Sequence, residues 1–376
     1  MTTHRAIVDG LYRAAANDEP VLLATVVRVT GSSYGGVGSR MLIRADGSTV
    51  GLVSGGCLES DLAEHARRVH QAGHAEVVRY DTRNDDDAPW GLGLGCNGVI
   101  DVLLEPLPPA RGKYLAKLLD KALKADKPSV LATIITEKKT EGATSVGAHA
   151  LIIGNTIEKT GGWGSELLAK ATSDTEEVLN AGRRGLVRDF NGVEVAYEVV
   201  SPAIALVICG GGPDVQPIAR IAADLGWNVT VVDHRQVTDG HATRYPGARV
   251  IQCADADKLA ECVTLTTHTA GVVMSHNLSR DTAYVESFLK GGVAYIGVLG
   301  PRARTERMLA DLAARGGGEI PNGDKIFAPV GMDLGSEGPD AIALAIIAEI
   351  SAVMHKRQGG HLRDRKGPLH AQAQTN

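Results

Sequence analysis

The apolar positions of the first hundred or so residues change period several times, and each change marks an element. Residues up to Pro20 read as a short helix, and Val21 to Val29 (VLLATVVRV) as a β-branched strand. A Gly/Ser stretch (GSSYGGVGS, Gly31 to Ser39) follows. Strands at Arg40 to Arg44 and Thr49 to Val53 then flank Asp46-Gly47, a dipeptide that favours a tight hairpin. From Leu58 to Ala72 the apolar residues Leu58, Leu62, Ala66 and Val69 keep helical spacing, closed by Gly73.

The same succession returns about a hundred residues later. LLATVV at 22–27 reappears as VLATII at 130–135, RMLIRADGSTVG at 40–51 as HALIIGNTIEKTG at 149–161, and GGCLESDLAE at 55–64 as GGWGSELLAK at 161–170. EVVRYD at 76–81 has a weaker echo in GLVRDF at 185–190. Offsets that drift between 106 and 109 residues are what a duplicated unit with small loop changes produces. Residues 1–200 are therefore expected to form one αβ domain of two copies, over 20–105 and 128–200. Cys57 of the first copy aligns with Trp163 of the second, and the loop GSSYGGVGSR with the more polar EKKTEGATSVGAH, so any chemistry is expected in the first copy.

After Ser201-Pro202 the pattern changes to buried-type strands separated by helices: Ala203 to Cys209, Val229 to Val232, Val250 to Cys253, Val272 to Ser275 and Val293 to Val298. Alternation at this spacing predicts an α/β domain over 201–355 with a Rossmann-like, doubly wound parallel sheet. The basic, Gly-rich segment 356–376 is expected to be a flexible tail.

Composition narrows the field. The chain has 376 residues and 45 glycines, about 12% against a usual ~7%, with only 4% aromatics. A net charge of −5 gives no electrostatic reason for a nucleic-acid partner. No apolar run approaches the ~20 residues of a membrane span, and the first residues lack a signal-peptide core, so a cytoplasmic protein is expected. The five cysteines are scattered, odd in number and never in a C-x-x-C pair, which predicts reduced thiols rather than a disulfide framework or a zinc site.

Three groups of residues are candidates for chemistry. Gly210 and Gly212 hold the first two positions of a G-x-G-x-x-G/A turn between a strand and a helix, with Asp233 at the end of the next strand. Gly210 permits the tight turn, Gly212 lets backbone approach a pyrophosphate, and Asp233 can accept from ribose hydroxyls. Val215 stands where Gly or Ala usually does, and Pro213 removes an N–H, so NAD(P), another nucleotide, or a Rossmann scaffold whose site has lapsed all stay open. His276, with Asn277 and Asp281, follows another strand of that sheet, at the carboxyl end where ligands bind. Arg302, Arg304 and Arg307 offer cations for a phosphate, or simply a solvated helix face. The third group is a pair of glycine-embedded cysteines, Cys57 after Gly55-Gly56 and Cys96 after Gly95 and before Asn97. A helix start after Cys57 favours its thiolate, with Glu59 opposing this only slightly if its side chain points away. Cys209, Cys253 and Cys262 read as small buried hydrophobes.

The motifs GSSYGGVGSRMLI, GLVSGGCLE and WGLGLGCNGVIDVLLEP, with VICGGGPDVQPIARIAADLGWNVTVVD, MSHNLSRD, YIGVLGPRAR and APVGMDLGSEGPDAIALAIIAEI, resemble the XdhC/CoxI family over nearly the whole chain. That resemblance implies an accessory protein of xanthine dehydrogenase, carbon monoxide dehydrogenase and related molybdenum hydroxylases. It would bind the molybdenum cofactor, support its sulfuration with a cysteine desulfurase, and deliver it to the apo-enzyme. It also implies a homodimer, to which the apolar stretch Ala341 to Ile350 adds weak support, and a cofactor-binding thiol at Cys57. A thiolate is a soft donor suited to molybdenum, so Cys57 is expected to contact the metal, with Gly55, Gly56, Gly95, Cys96, Asn97 and Arg40 closing the pocket. Three departures stand out: Tyr34-Gly35-Gly36 where the family often has Arg and Pro, Pro213 where it commonly has His, and a long EKKTEG stretch. An NAD(P)-dependent oxidoreductase with an appended domain, or a sulfurtransferase using Cys57, are the alternatives, and whether the chain is a catalyst at all stays open.

Overall fold

The computed structural model describes residues 4–31, 33–56, 58–81, 98–136, 144–181, 184–237, 239–315, 319–335 and 337–364. The chain divides into two compact units, Met1–Pro202 and the part from Ala203 on.

In the first unit two similar assemblies follow one another. The first contains α1 (His4–Ala16), β1 (Val21–Gly31), β2 (Arg40–Ile43), β3 (Thr49–Gly51), α2 (Glu59–Ala72), β4 (Glu76–Asp81) and β5 (Gly98–Leu107). The second contains α3 (Pro109–Leu123), β6 (Ser129–Ile134), β7 (His149–Ile153), β8 (Thr156–Lys159), α4 (Ser165–Ser173), α5 (Thr175–Asn180), β9 (Gly185–Phe190) and β10 (Val193–Val200). Each forms a five-stranded antiparallel sheet, in the orders β3-β2-β1-β5-β4 and β8-β7-β6-β10-β9. Element for element, these are the same order.

The strands are apolar on both faces because both faces are covered. Leu22, Ala24 and Val26 of β1 pack with Leu62, Ala66 and Val69 of α2, and Val130, Ala132 and Ile134 of β6 pack with Ala171 and Val178 of α4 and α5. The opposite faces share one core, in which Leu23, Leu42, Leu131 and Leu151 meet Ile7, Val8 and Leu11 of α1 and Leu115, Leu118 and Leu119 of α3. Two sheets and two amphipathic helices thus bury one another's apolar faces, which neither assembly could do alone.

The second unit is a six-stranded parallel sheet in the order β13-β12-β11-β14-β15-β16. Its elements are β11 (Ala205–Cys209), α6 (Val215–Asp224), β12 (Asn228–Asp233), α7 (Asp239–Arg244), β13 (Ala248–Gln252), α8 (Leu259–Cys262), β14 (Thr269–Val273), α9 (Leu278–Lys290), β15 (Tyr295–Val298), α10 (Arg302–Arg315), β16 (Ile326–Phe327) and α11 (Pro339–Met354). The strand order reverses between β11 and β14, which opens a crevice at their carboxyl ends. The mixed α/β class with a Rossmann-type second domain is as the sequence predicts.

Two expectations change here. Cys253 and Cys262 form a disulfide across 6.1 Å between Cα atoms, so the prediction of five reduced thiols fails for this pair. A single turn of α8 doubles the chain back on itself, which the bare spacing of two cysteines does not reveal. Cys209 is fully buried, and burial pushes its thiol up, as fits a small hydrophobe. In α11, Ala343, Ala345, Ile346, Ile347 and Ile350 are buried, the greater part of them in the core shared with α6, which leaves Leu344 as the large apolar residue exposed there. The apolar run thus reports packing, and its support for a dimer falls away. Residues 365–376 of the expected tail lie outside the described residues.

Candidate functional site

The turn between β3 and α2 carries Gly55 and Gly56. Cys57, Gly95, Cys96 and Asn97 lie outside the described residues, but the chain on either side of them is defined. Gly56 adopts φ +107°, a backbone conformation closed to other residues without strain, and nothing stands within 4 Å of where its Cβ would be. Both glycines are exposed. The aromatic ring of Tyr34, itself 58% exposed, lies 3.5 Å from the Cβ position of Gly55. Gly35 in turn abuts the carbonyl of Val53, and Gly31, where that loop begins, pairs with Gly98 at the start of β5. The 31–38 loop therefore joins the flanks of both cysteine-bearing segments.

Glu59 departs from expectation. Its carboxylate folds back into the turn and accepts from Ser54 N at 2.8 Å, Ser54 Oγ at 2.6 Å and Leu58 N at 3.2 Å. Burial works against this charge, yet the hydrogen bonds from Ser54 and the backbone prevail and hold the carboxyl below its ordinary range. An anion thus already lies beside the helix start that the sequence offers to a thiolate, bonded to Ser54 and the Leu58 N–H. Glu59 acts instead as a clamp between Ser54 and Leu58.

Arg40 is not available to close a pocket. Its side chain is 3% exposed and makes a bidentate pair with Glu198, one arm at 2.9 Å, while also donating to the Gly38 carbonyl at 3.0 Å. This is a correction: burial commits the charge to an internal partner. A side chain that carries a cation nevertheless comes beside the loop. Cδ of Arg184, the residue before β9, lies 3.7 Å from the Cβ position of Gly36, beside the loop whose own sequence lacks a cation. Tyr34 and Arg184 are the residues that sequence reasoning passes over, Arg184 because its approach depends on how the two repeats pack.

In the second unit the turn after β11 is tight as predicted: Gly210 lies against the backbone of Met274, where a Cβ would collide. The space over Gly212, where a pyrophosphate would approach, is taken by the Asp214 carboxylate. That carboxylate meets His276 Nε2 at 3.0 Å, and His276 itself holds a positive φ of 58°. Asp233 is nearly buried and fully engaged, accepting from Arg235 N at 2.9 Å, Nε at 3.0 Å and Nη2 at 2.7 Å. Burial opposes its charge, but the Arg235 guanidinium and N–H hold the carboxyl below its usual range. Arg304 pairs with Asp281, while Arg302 and Arg307 are exposed. So Gly210, Gly212, Asp233 and His276 do come together, but in a site furnished with its own anions.

Family models match two stretches of the chain: "XdhC and CoxI family" over residues 14–81 and "XdhC Rossmann domain" over residues 206–350. A crystal structure described as that of a xanthine dehydrogenase from Bacillus halodurans is 30% identical and covers 95% of this chain and 98% of that one, with a TM-score of 0.73. The chain belongs to the XdhC and CoxI family. A family relative from Bacillus subtilis, named as a probable subunit of xanthine dehydrogenase, is 29% identical over 89% of this chain and 93% of its own length. Another from Escherichia coli, the molybdenum cofactor insertion chaperone PaoD, is 24% identical over 94% of this chain and 90% of its own. The two matched stretches hold Tyr34, Gly55 and Gly56, and Gly210 to Asp214, whereas Gly95 to Asn97 and Arg184 fall between them. Among the described residues no helix is long and apolar enough to cross a membrane, and no group of three metal-binding side chains is assembled.

Proposed function

We propose that this chain is an accessory protein of a molybdenum hydroxylase of the xanthine dehydrogenase type, with the molybdenum cofactor as its cargo. The names of its relatives, an insertion chaperone among them, support that class. One observation carries the site: the open, glycine-built turn at Gly55–Gly56, held by the Glu59 clamp and faced by Tyr34. Each part suits a pterin-bearing cargo. The bare backbone of Gly55 and Gly56 admits a flat ligand closely, the exposed Tyr34 ring offers a stacking face, and Arg184 can meet a phosphate. Cys57 follows Gly56 in the chain and supplies a soft sulfur donor for molybdenum. Because Glu59 is already at the helix end, the thiol's ionisation would depend on the metal it meets rather than on the helix dipole.

In this reading the apo-hydroxylase is the partner that receives the cargo, and a cysteine desulfurase supplies sulfur while the cargo is held. Homodimer formation belongs to the same proposal. The oxidoreductase alternative is the less favoured reading, since the Asp214 carboxylate lies over Gly212, where a dinucleotide pyrophosphate would approach.

The test is purification of wild-type and Cys57→Ala chains from a cofactor-competent host, with metal analysis and fluorescence of the oxidised pterin. The variant is expected to retain less than about a tenth of the wild-type cofactor, the loss of one charge-assisted contact or more. Wild-type stoichiometry in the variant overturns the assignment of Cys57.

A further inference from the structure

The charges at the carboxyl ends of β11, β12 and β14 can be paired off. Asp233 is neutralised by Arg235, Asp281 by Arg304, and Asp214 faces His276. Arg280, in the first turn of α9, is left over. Among the described residues its guanidinium has no ion-pair or hydrogen-bond partner, and its Nη1 is buried without one. A buried N–H of a charged group left unpaired costs on the order of a few kcal/mol unless something absent from the chain itself satisfies it. Burial lowers the pKa of His234 first and the positive charge of Arg280 lowers it next, against the opposing pull of Asp233, whose Oδ1 lies 3.3 Å from His234 Nδ1.

Position gives the orphan its meaning. In this fold the end of the second strand is where an adenosine ribose lies. A free carboxylate there accepts from the ribose hydroxyls of NAD, whereas arginine there accommodates a ribose phosphate. Here the carboxylate of Asp233 is not free, because Arg235 spans both of its oxygens and donates to the Gly211 carbonyl at 3.0 Å. Over Gly212, the Asp214 carboxylate sets a like charge where a pyrophosphate would come. The crevice is therefore acidic at the place for a pyrophosphate and cationic at the place for a ribose substituent.

We propose that this crevice binds a nucleotide carrying a phosphomonoester on its ribose, with Arg280 as the anchoring cation and His234 and Arg235 beside it, and that it rejects dinucleotides lacking that group. The proposal stands apart from the cargo site of the first unit and holds whether or not Cys57 binds molybdenum.

Isothermal titration of the full chain, purified from a host that makes no molybdenum cofactor, compares 2′-AMP, adenosine and NAD. Saturable binding of 2′-AMP is expected, with adenosine and NAD weaker by about tenfold or more, the worth of a charge-assisted contact. Arg280→Ala should lose about tenfold in affinity for 2′-AMP and leave adenosine unchanged, and Arg280→Lys should restore part of the loss. Since Arg280→Ala removes the unpaired buried N–H and breaks no contact among the described residues, it should melt no lower than wild type, and Arg280→Lys close to it. The proposal is overturned if wild type shows no saturable 2′-AMP binding up to about 5 mM, a threshold for any specific site. It is equally overturned if NAD binds as well as 2′-AMP, or if Arg280→Ala leaves the 2′-AMP affinity intact.

Discussion

The two repeats of the first unit differ least in their frame and most at one turn. Arg40 on β2 pairs with Glu198 on β10, and His149 on β7 pairs with Glu105 on β5 at 2.9 Å, so each repeat supplies a nitrogen-bearing side chain to the other's acid. Even the supporting glycines match: Gly38 at φ +86° faces Glu198, and Gly147 at φ +80° faces Glu105. The turn before the second helix is where they part. Gly56 opens onto empty space, while at its counterpart Gly162, also at positive φ, a Cβ would come within 3.0–3.2 Å of Ser145 and Ala148. Trp163, which stands where Cys57 does, is buried in the core of its repeat. In the second repeat an indole fills the place beside the turn. In the first the turn is open at Gly56, which is what a ligand site needs.

The crosswise pairs offer the hardest test of this symmetry. Glu198→Gln leaves the Arg40 guanidinium buried without its counter-ion, and should cost about 3–5 kcal/mol in urea unfolding. Glu105→Gln should cost less, about 1–3 kcal/mol, because His149 can stay neutral where Arg40 cannot. Equal losses would break the comparison. Acid adds a direction. Desolvation opposes the Glu198 charge, but Arg40 prevails and its folded pKa lies below the unfolded value of 4.5. Its contribution is thus complete above that pH and lost as the pH falls below it. Glu198→Gln should flatten that acid limb of a stability-against-pH curve.

Trp163→Ala comes next. Removing a buried indole should cost about 3–4 kcal/mol through the cavity it leaves. Cofactor retention by the still-folded protein at low temperature should be unchanged, because the closed turn holds no cargo. A loss of retention out of proportion to the loss of folded protein would move the site to the second repeat.

How far these features could be read without coordinates depends on the distance over which they are determined. Asp46-Gly47 sets a hairpin within four residues, and the offsets between LLATVV and VLATII survive because both segments must be apolar on two faces. Gly210 was legible for the same reason, a strand-to-helix turn being local chemistry. The pairing of Arg40 with Glu198 joins residues 158 apart and depends on two sheets meeting, so the sequence alone offers Arg40 to the pocket. Arg184 reaches Gly36 by the same packing. Glu59 was ambiguous for a smaller reason: spacing places it in the first turn of a helix but does not choose its rotamer. The pairing of Cys253 with Cys262 depends on the short helical turns over residues 256–262, too brief to leave a periodic signal.

Gly56→Ala asks how much the open turn matters. A Cβ at φ +107° meets no neighbour, so the penalty is backbone strain alone, about 1–3 kcal/mol. Gly162→Ala should cost more, since strain is joined there by crowding against Ser145 and Ala148. Retention should follow the opposite order: lost in Gly56→Ala, kept in Gly162→Ala. That inversion of stability and binding is what separates a scaffold turn from a site turn, and parallel behaviour would argue against the distinction.

The smallest effect is expected at Tyr34. With more than half of its surface exposed and its ring over a glycine rather than in a core, Tyr34→Ala should change unfolding stability by no more than about 0.5 kcal/mol. If the ring serves as a stacking face, retention should fall severalfold, on the scale of about 0.5–1.5 kcal/mol for an aromatic pair, and Tyr34→Phe should restore it. A hydroxyl-dependent loss would instead assign the residue a hydrogen-bonding role. Retention unchanged in both variants would leave Gly55, Gly56 and the thiol to hold the cargo by backbone and metal alone. The residue is informative because stability cannot mask its answer: a side chain that supports no core reports only on what binds beside it.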